Sequence, residues 1–561
     1  MSPQLIRAAA FLGACVLAPN VSPQAQPRVP LPGQVEREFT PPPALRPPPR
    51  PLPTVPALPA VPPRAPDVRL TVREIGVDGM TVYSMTDLAP YLAPLLGREV
   101  TLDDIYKVAA ELTAKYVADG YFLSRVVVPA QEIQNESVRL TAIEGYIGEV
   151  RFQGARPGEE AILQAYAEKI RAVRPITTRA LERYLLLMND LAGVDARSTL
   201  VPSGAGLGTA DLVVDFAFTR ASGQIGGDNR GSRALGPWRA IAAGDLNSLF
   251  GRFDKTRLFA SSTLNNEQNY ASLYHAEPVG AEGARLALTA WGATARPDPS
   301  TLPPGIASSE SRSWSAGLFY TYPVVRSRAL NLTTRAGFVA EDGQTLADGV
   351  LVTDDALRVL RAGMTFDAVD GLLGSNVVDV EVAQGLNAFG ARRTETTALP
   401  VTTGKSDFTK VALYAGRLQP LDANWSLFAA VSAQYAFNDV PSLEAFAVGG
   451  EYFGRGYDPS EIVGDSGASL KVDLQRELGT IDGIGAVLSG YGFYDLGAVY
   501  RRTTLPGQPH RASLASAGIG LRVRYRASLY GYVEVAKPLT LTPALEGDKD
   551  ARVYVGLFAT F

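Results

Sequence analysis

From Ala221 to Phe561 the chain abandons helical periodicity and becomes one long succession of apolar–polar alternations. In "ASLKVDLQ", Ala468, Leu470, Val472 and Leu474 fall on one side, and Ser469, Lys471, Asp473 and Gln475 on the other. In "GIGLRVRYR", Ile519, Leu521, Val523 and Tyr525 oppose Arg522, Arg524 and Arg526. Val553, Val555, Leu557, Ala559 and Phe561 share one face of the last segment. A period of two marks strands whose two faces meet different surroundings. About sixteen such segments of roughly ten residues follow one another, joined by alternately short and long connections. Twisted open sheets rarely exceed about ten strands, and only closure removes their unpaired edges. The expected fold of this region is therefore a transmembrane antiparallel β-barrel of about 16 strands, apolar toward lipid and polar toward its lumen.

The amino-terminal residues agree with that destination. "MSPQLIR" carries one positive charge, and "AAAFLGACVLA" is an apolar run too short to span a bilayer. Residues 1–25 are expected to be a signal peptide, and Cys15 inside it is the chain's single cysteine. Removing that segment leaves a thiol-free chain, suited to an oxidising periplasm. Residues 26–66 form a proline tract, "TPPPALRPPPRPLPTVPALPAVPP", an extended spacer because proline lacks the donor that helices and sheets require. Within it only Gly33 to Phe39 is competent to form a helix, about two turns long. Helices that short are marginal on their own, so any plug they form is expected to be weak or absent.

Two small α/β units follow, residues 67–146 and 147–220. In the first, "TLDDIYKVAAELTAKYVADG" places Leu102, Ile105, Val108, Ala109, Leu112 and Tyr116 on one helical face. Thr101 and Asp104 form a capping-box pattern, and Gly120 ends the helix. The second unit repeats the strand–helix–helix–strand–strand order, its last two strands joined through "GAGLG", Gly204 to Gly208.

These residues resemble a family: the two-partner secretion transporters, the haemolysin-activator and filamentous-haemagglutinin exporter group of the barrel-assembly superfamily. "YVADGYFLSRVVVPAQEIQNESVRLTAIEGYI" is similar to that family's first polypeptide-transport-associated (POTRA) module, with Gly120, Tyr121, Pro129, Gln131, Glu144 and Gly145 in matching places. Leu187-Met188-Asn189-Asp190, Gly193 and Asp211-Leu212 resemble the second module. "GGDNRGSRALGPWRA" resembles the first barrel strand through Asp228, Asn229, Gly231 and Gly236. "FGRGYDP" carries the family's Arg-Gly-aromatic motif at Arg455, Gly456 and Tyr457, and "GYGFYDLGAVY" its F-x-D-x-G motif at Phe493, Asp495 and Gly497. Phe561 stands where such barrels carry a terminal aromatic.

The resemblance implies that Arg455 sits at the tip of the sixth extracellular loop, folds into the lumen and pairs with Asp495. Gly454 departs from the family, which carries a branched apolar residue there, and a glycine is expected to loosen the tip. The implied function is secretion of a large partner protein with an amino-terminal secretion domain. The implied setting is the outer membrane of a Gram-negative bacterium, with lipid around the barrel and the barrel-assembly machinery as its biogenesis partner. An assembly factor for other barrels is the alternative; a passive pore would leave the two modules without a purpose.

No catalytic, metal or cofactor site is expected, and no nucleic-acid partner. Zinc sites need several Cys or His ligands, and the chain has only His275 and His510 besides Cys15. "TTGKS", Thr402 to Ser406, has Leu399 where a phosphate-binding loop needs its first glycine. "GAGLG" opens no helix. Arg522 to Arg526 read chiefly as lumen electrostatics, and less readily as a contact for the exported chain.

Overall fold

A computed structural model describes residues 32–45, 68–154, 159–204, 206–395, 404–504 and 508–561, with side chains omitted at 393–395. The signal peptide, most of the proline tract, Ala205 of "GAGLG", and Thr402 and Thr403 of "TTGKS" lie outside the described residues.

The two amino-terminal units have one topology. In the first, the helix Leu102–Ala118 starts from a complete capping box between Thr101 and Asp104, and Gly120 follows it at φ 93°. Its apolar face, Ile105, Val108, Ala109, Leu112 and Tyr116, is buried on a three-stranded sheet. Ser137–Ile143 is the central strand of that sheet, parallel to Glu74–Asp78 and antiparallel to Arg125–Val127. The second unit repeats this with Thr209–Phe218 central, parallel to Tyr146–Gln153 and antiparallel to Val194–Pro202. Its helices Glu160–Ala172 and Thr178–Asn189 supply Leu163, Tyr166, Ile170, Leu185 and Met188 to the core.

The remainder is a closed antiparallel barrel of 16 strands, from Ala221–Asp228 to Arg552–Thr560. The short strand Arg392–Glu395 pairs beside the eighth strand, in the connection between the ninth and tenth. Alternation sorts the faces as the pleat requires. Ile519, Leu521, Val553 and Leu557 are exposed on the outside, where lipid would meet them, while Ser469, Asp473 and Asp495 are buried inside. Closure joins the first and last strands, from Gln224 opposite Thr560 to Asp228 opposite Gly556. Phe561 extends that seam, exchanging backbone hydrogen bonds with Gly223 at 2.8 and 3.0 Å.

The expectation of a weak or absent plug is corrected. Gln34–Glu38 is helical, and its Val35 and Glu36 are buried against the inner wall. Arg37 donates to the Ser442 carbonyl at 2.9 Å, and the Glu38 carboxylate accepts from Gln268 at 2.7 Å. Phe39 stacks on Tyr270 with ring centroids 4.8 Å apart. So short a helix cannot sustain itself by local hydrogen bonds. It is held by the wall, an effect that local propensity cannot register.

Candidate functional site

The eleventh strand ends at Ala436 and the twelfth begins at Ser466. The chain between them, residues 437–465, is the sixth odd-to-even connection, and it folds inward. At its tip Arg455 is 2% exposed and Tyr457 1%. The Arg455 guanidinium meets Asp495 side-on, Nε to Oδ2 at 2.9 Å and Nη2 to Oδ1 at 2.7 Å. A planar fork against a carboxylate is the arrangement that arginine makes best. The backbone N–H groups of Gly454 and Arg455 also donate to Asp495 Oδ2.

Two further acids share the arginine. Asp473, on the twelfth strand, accepts from Nη2 at 2.5 Å, and Glu534, on the fifteenth, lies 3.8 Å from Nη1. The Phe493 ring lies beneath the guanidinium, 3.5 Å from its carbon to the ring centroid. A cation this deeply buried persists only where carboxylates and a π-face replace water. The sequence alone does not single out Asp473 or Glu534 as partners of Arg455. Both stand at inward positions of their alternation, but only the inter-strand register brings them to one arginine.

The glycines around the tip mark close approaches. A Cβ on Gly456 would meet Ser516 Cβ at 2.8 Å, and one on Gly497 would meet Val448 Cγ1 at 2.5 Å. The expectation that Gly454 loosens the tip is overturned. Gly454 has φ +99°, and a Cβ there would stand 3.0 Å from Leu514 Cδ1 and 3.1 Å from Gly449 Cα. Glycine is what this left-handed, crowded position requires. Tyr457 completes the anchorage by donating from its hydroxyl toward the carbonyls of Ala515 (3.1 Å) and Leu541 (3.0 Å).

The same loop has a second anchor of opposite sign. Glu444, 1% exposed by its side chain, pairs with Lys410 at 2.5 Å and with Arg361 at 2.6 Å. Arg361 also reaches Glu341 and Glu381. The loop thus carries at its tip a cation among acids on strands twelve, thirteen and fifteen, and nearer its start an acid among cations on strands eight and ten. Arg37 of the plug bonds the loop carbonyl at Ser442, so helix and loop are attached to each other as well as to the wall.

The first-strand residues hold the plug and the seam. Asp228 accepts from Arg239 Nε at 2.6 Å, and Arg239 reaches on to Glu38 of the plug at 2.5 Å. The Asn229 side chain continues the seam, donating to the Val553 carbonyl and accepting from Val555 N–H at 2.7 Å. Gly231 N–H donates to the Pro237 carbonyl at 2.9 Å and closes the first loop.

The POTRA motif residues lie apart from this lumen cluster. The Gly120 carbonyl accepts from Thr178 N–H at 2.8 Å and the Gly145 carbonyl from Ile176 N–H at 2.9 Å, so both glycines sit at the junction of the two modules. The Tyr121 ring packs edge-on to Tyr116. Gln131 hydrogen-bonds both the N–H and the carbonyl of Arg139, continuing the sheet edge beyond Val127, and its amide also reaches the Pro129 carbonyl at 3.3 Å. In the second module, Asp190 pairs bidentately with Arg326 of the barrel at 2.6 and 2.8 Å. That contact fixes the module to the periplasmic rim.

Comparison with known proteins agrees with this architecture. Residues 212–523 match the family model "Haemolysin secretion/activation protein ShlB/FhaC/HecB", and residues 70–145 match "POTRA domain, ShlB-type". The chain is 24% identical over 466 residues to the heme/hemopexin transporter protein HuxB of Haemophilus influenzae, covering 81% of this chain and 80% of that one. It is 26% identical over 486 residues to the hemolysin transporter protein ShlB of Serratia marcescens, covering 82% and 80%. Among solved structures, CdiB from Escherichia coli superposes with a TM-score of 0.73 at 18% identity, over 90% of this chain and 93% of that one. With two POTRA-like modules, a closed barrel and a loop folded into its lumen, the chain belongs to the haemolysin secretion/activation family ShlB/FhaC/HecB, the outer-membrane transporters of two-partner secretion.

Proposed function

We propose that this transporter exports one or a few large partner proteins bearing an amino-terminal secretion domain, and that Arg455, Asp495 and their neighbours form the seat that positions the sixth loop for export. The observation that carries the reading is what fills the lumen. It is occupied by two tethered segments, residues 32–45 and 437–465, and ion pairs and hydrogen bonds link both to the wall. Polar contacts of this kind can be exchanged for contacts with a passing chain.

The POTRA-like modules supply the capture step. The first module's sheet leaves Glu74–Asp78 and Arg125–Val127 as its outer strands, and an unfolded chain can add to such an edge as a further strand. The cargo then passes the plug and the sixth loop, driven by its own folding outside. A chain beginning near Ser222 tests this division of labour. It should reach the outer membrane and show a folded barrel, yet export no partner protein; normal export would exclude capture by the modules. Assembly of other barrels, the alternative, predicts instead that depleting the protein lowers the levels of unrelated barrels.

A further inference from the structure

The lumen arginines differ in one respect. Arg239, Arg335, Arg361 and Arg455 each pair with one or more carboxylates. Arg522, Arg524 and Arg526, at the periplasmic end of the fourteenth strand, have no carboxylate within ion-pairing distance among the described residues. Arg522 and Arg524 are alternate residues of one strand and share its inner face, opposite Tyr532 and Tyr530 of the fifteenth strand. Arg526 follows in the turn at φ 52°.

The wall holds Arg522 in place. Its guanidinium carbon is 3.9 Å from the centroid of the Tyr491 ring. Gly520 leaves room for that ring, since a Cβ there would stand 2.4 Å from it. Tyr491 stacks on Phe493, the ring beneath Arg455, so a column of π-faces and cations runs from the periplasmic mouth to the loop tip. Beside the strip a recess of about 700 Å³ opens between the first three strands and the turn joining the fourteenth and fifteenth, lined in part by Gln224, Asp245, Arg257, Arg526 and Thr560.

Arg522 is half-buried and Arg524 and Arg526 are exposed, so cations without a partner carboxylate line the mouth of a low-dielectric wall and focus a positive field into the space they face. The lipid surface is outside, and the periplasmic mouth faces whatever the modules deliver. We propose that Arg522, Arg524 and Arg526 are the docking strip for an extended, acidic segment of the exported chain. An extended peptide places alternate side chains about 6.8 Å apart on one face, the spacing of alternate residues on the facing strand. Carboxylates at every second position would therefore meet Arg522 and Arg524 in register, and the recess takes the segment's following residues. This rests on the transport reading and adds to it the chemistry of the segment that enters first.

The test uses the full chain in detergent and two fluorescein-labelled decapeptides, (Glu-Ser)5 and (Lys-Ser)5, followed by fluorescence anisotropy across a salt series. The glutamate peptide should bind and the lysine peptide should not. Changing Arg522, Arg524 and Arg526 together to Gln should weaken binding at least tenfold and flatten its salt dependence. A control with the same charge loss on the extracellular side, Arg296, Arg312 and Arg392 to Gln, should bind as the unmodified chain does. Heat-modifiable gel mobility reports that every variant holds a folded barrel. Equal binding by the triple variant, or equal weakening in the control, would overturn the proposal. The readout contains no cargo, so its failure would leave the transport reading standing, and a failure of export would leave the binding result standing.

Discussion

Arg455 and Asp495 lie 40 residues apart in the chain, and inside the barrel they form a two-point ion pair buried from solvent. Their burial decides how much the pair matters. Exposed ion pairs contribute about 0–1 kcal/mol, whereas stranding one partner of a buried pair costs about 3–5 kcal/mol. Arg455→Ala would strand two acids, Asp495 and Asp473, while Glu534 keeps Arg230 at 3.0 Å and the Tyr491 hydroxyl at 2.7 Å. It should nearly abolish export while the barrel still reaches the membrane. Arg455→Lys should restore only part, because an ammonium cannot present the fork. The double change of Arg455 and Asp495 to Ala should be no worse than either single change, as groups acting as a unit are non-additive. Secreted partner protein at matched barrel levels is the measurement, and strictly additive losses would separate the two residues.

Gly454 gives a sharper steric expectation. Gly454→Ile, which installs the branched residue expected from the family, would place a side chain at φ +99° against Leu514 and Gly449. The tip should lift from its seat, and protease cleavage within residues 437–465 of the folded protein should accelerate. Cleavage at the unmodified rate would mean the pocket relaxes around the new side chain.

The second anchor should act independently of the first. Glu444→Gln keeps the shape and removes the charge that Lys410 and Arg361 hold. Single-channel recordings in planar bilayers should show more frequent openings than for the unmodified protein. Adding Arg455→Lys should raise open time further, because the two anchors grip different walls. Unchanged gating in the Glu444 variant would show that the tip alone retains the loop.

Removing residues 26–66 should leave a folded, export-competent barrel of higher conductance. Arg239 loses Glu38 but keeps Asp228, so no buried cation is left without a partner. A complete loss of export would give the segment a role beyond occupying the lumen.

The first module carries a pH dependence of its own. Burial alone would raise the Glu144 pKa, but the Thr81 hydroxyl, the N–H groups of Thr81 and Val82 and the Tyr116 hydroxyl outweigh it and hold the carboxyl below its ordinary value of 4.5. A depressed carboxylate pKa stabilises the fold fully above the unfolded-state value, and that contribution fades as pH falls through the folded-state value. Glu144→Gln should therefore lower the melting temperature of residues 68–220 at pH 7, with the difference shrinking below about pH 4. A difference independent of pH would assign the effect to shape instead of charge.

Much of this protein was legible in its sequence because the signals involved are local. Period-two alternation reports which face of a strand meets lipid, and so Leu521 and Arg522 could be assigned to opposite faces before any partner was known. The capping box at Thr101 and Asp104 is likewise complete within four residues. Arg455 and Asp495 could be named through family resemblance, since their motifs are contiguous. What tertiary structure alone decided depends on register and closure. Lys471 stands opposite Asp495 and Asp473 opposite Phe493, and a slip of one residue would have turned Asp473 toward lipid and left Arg455 with one acid fewer. The five-residue helix Gln34–Glu38 reads as marginal because its stability is not local; Arg239, Gln268 and Tyr270 come to it only when the wall closes. Gly454 read as a loosening departure because a sequence carries no φ angle, and the left-handed turn that requires glycine exists only once the loop has folded back into the lumen.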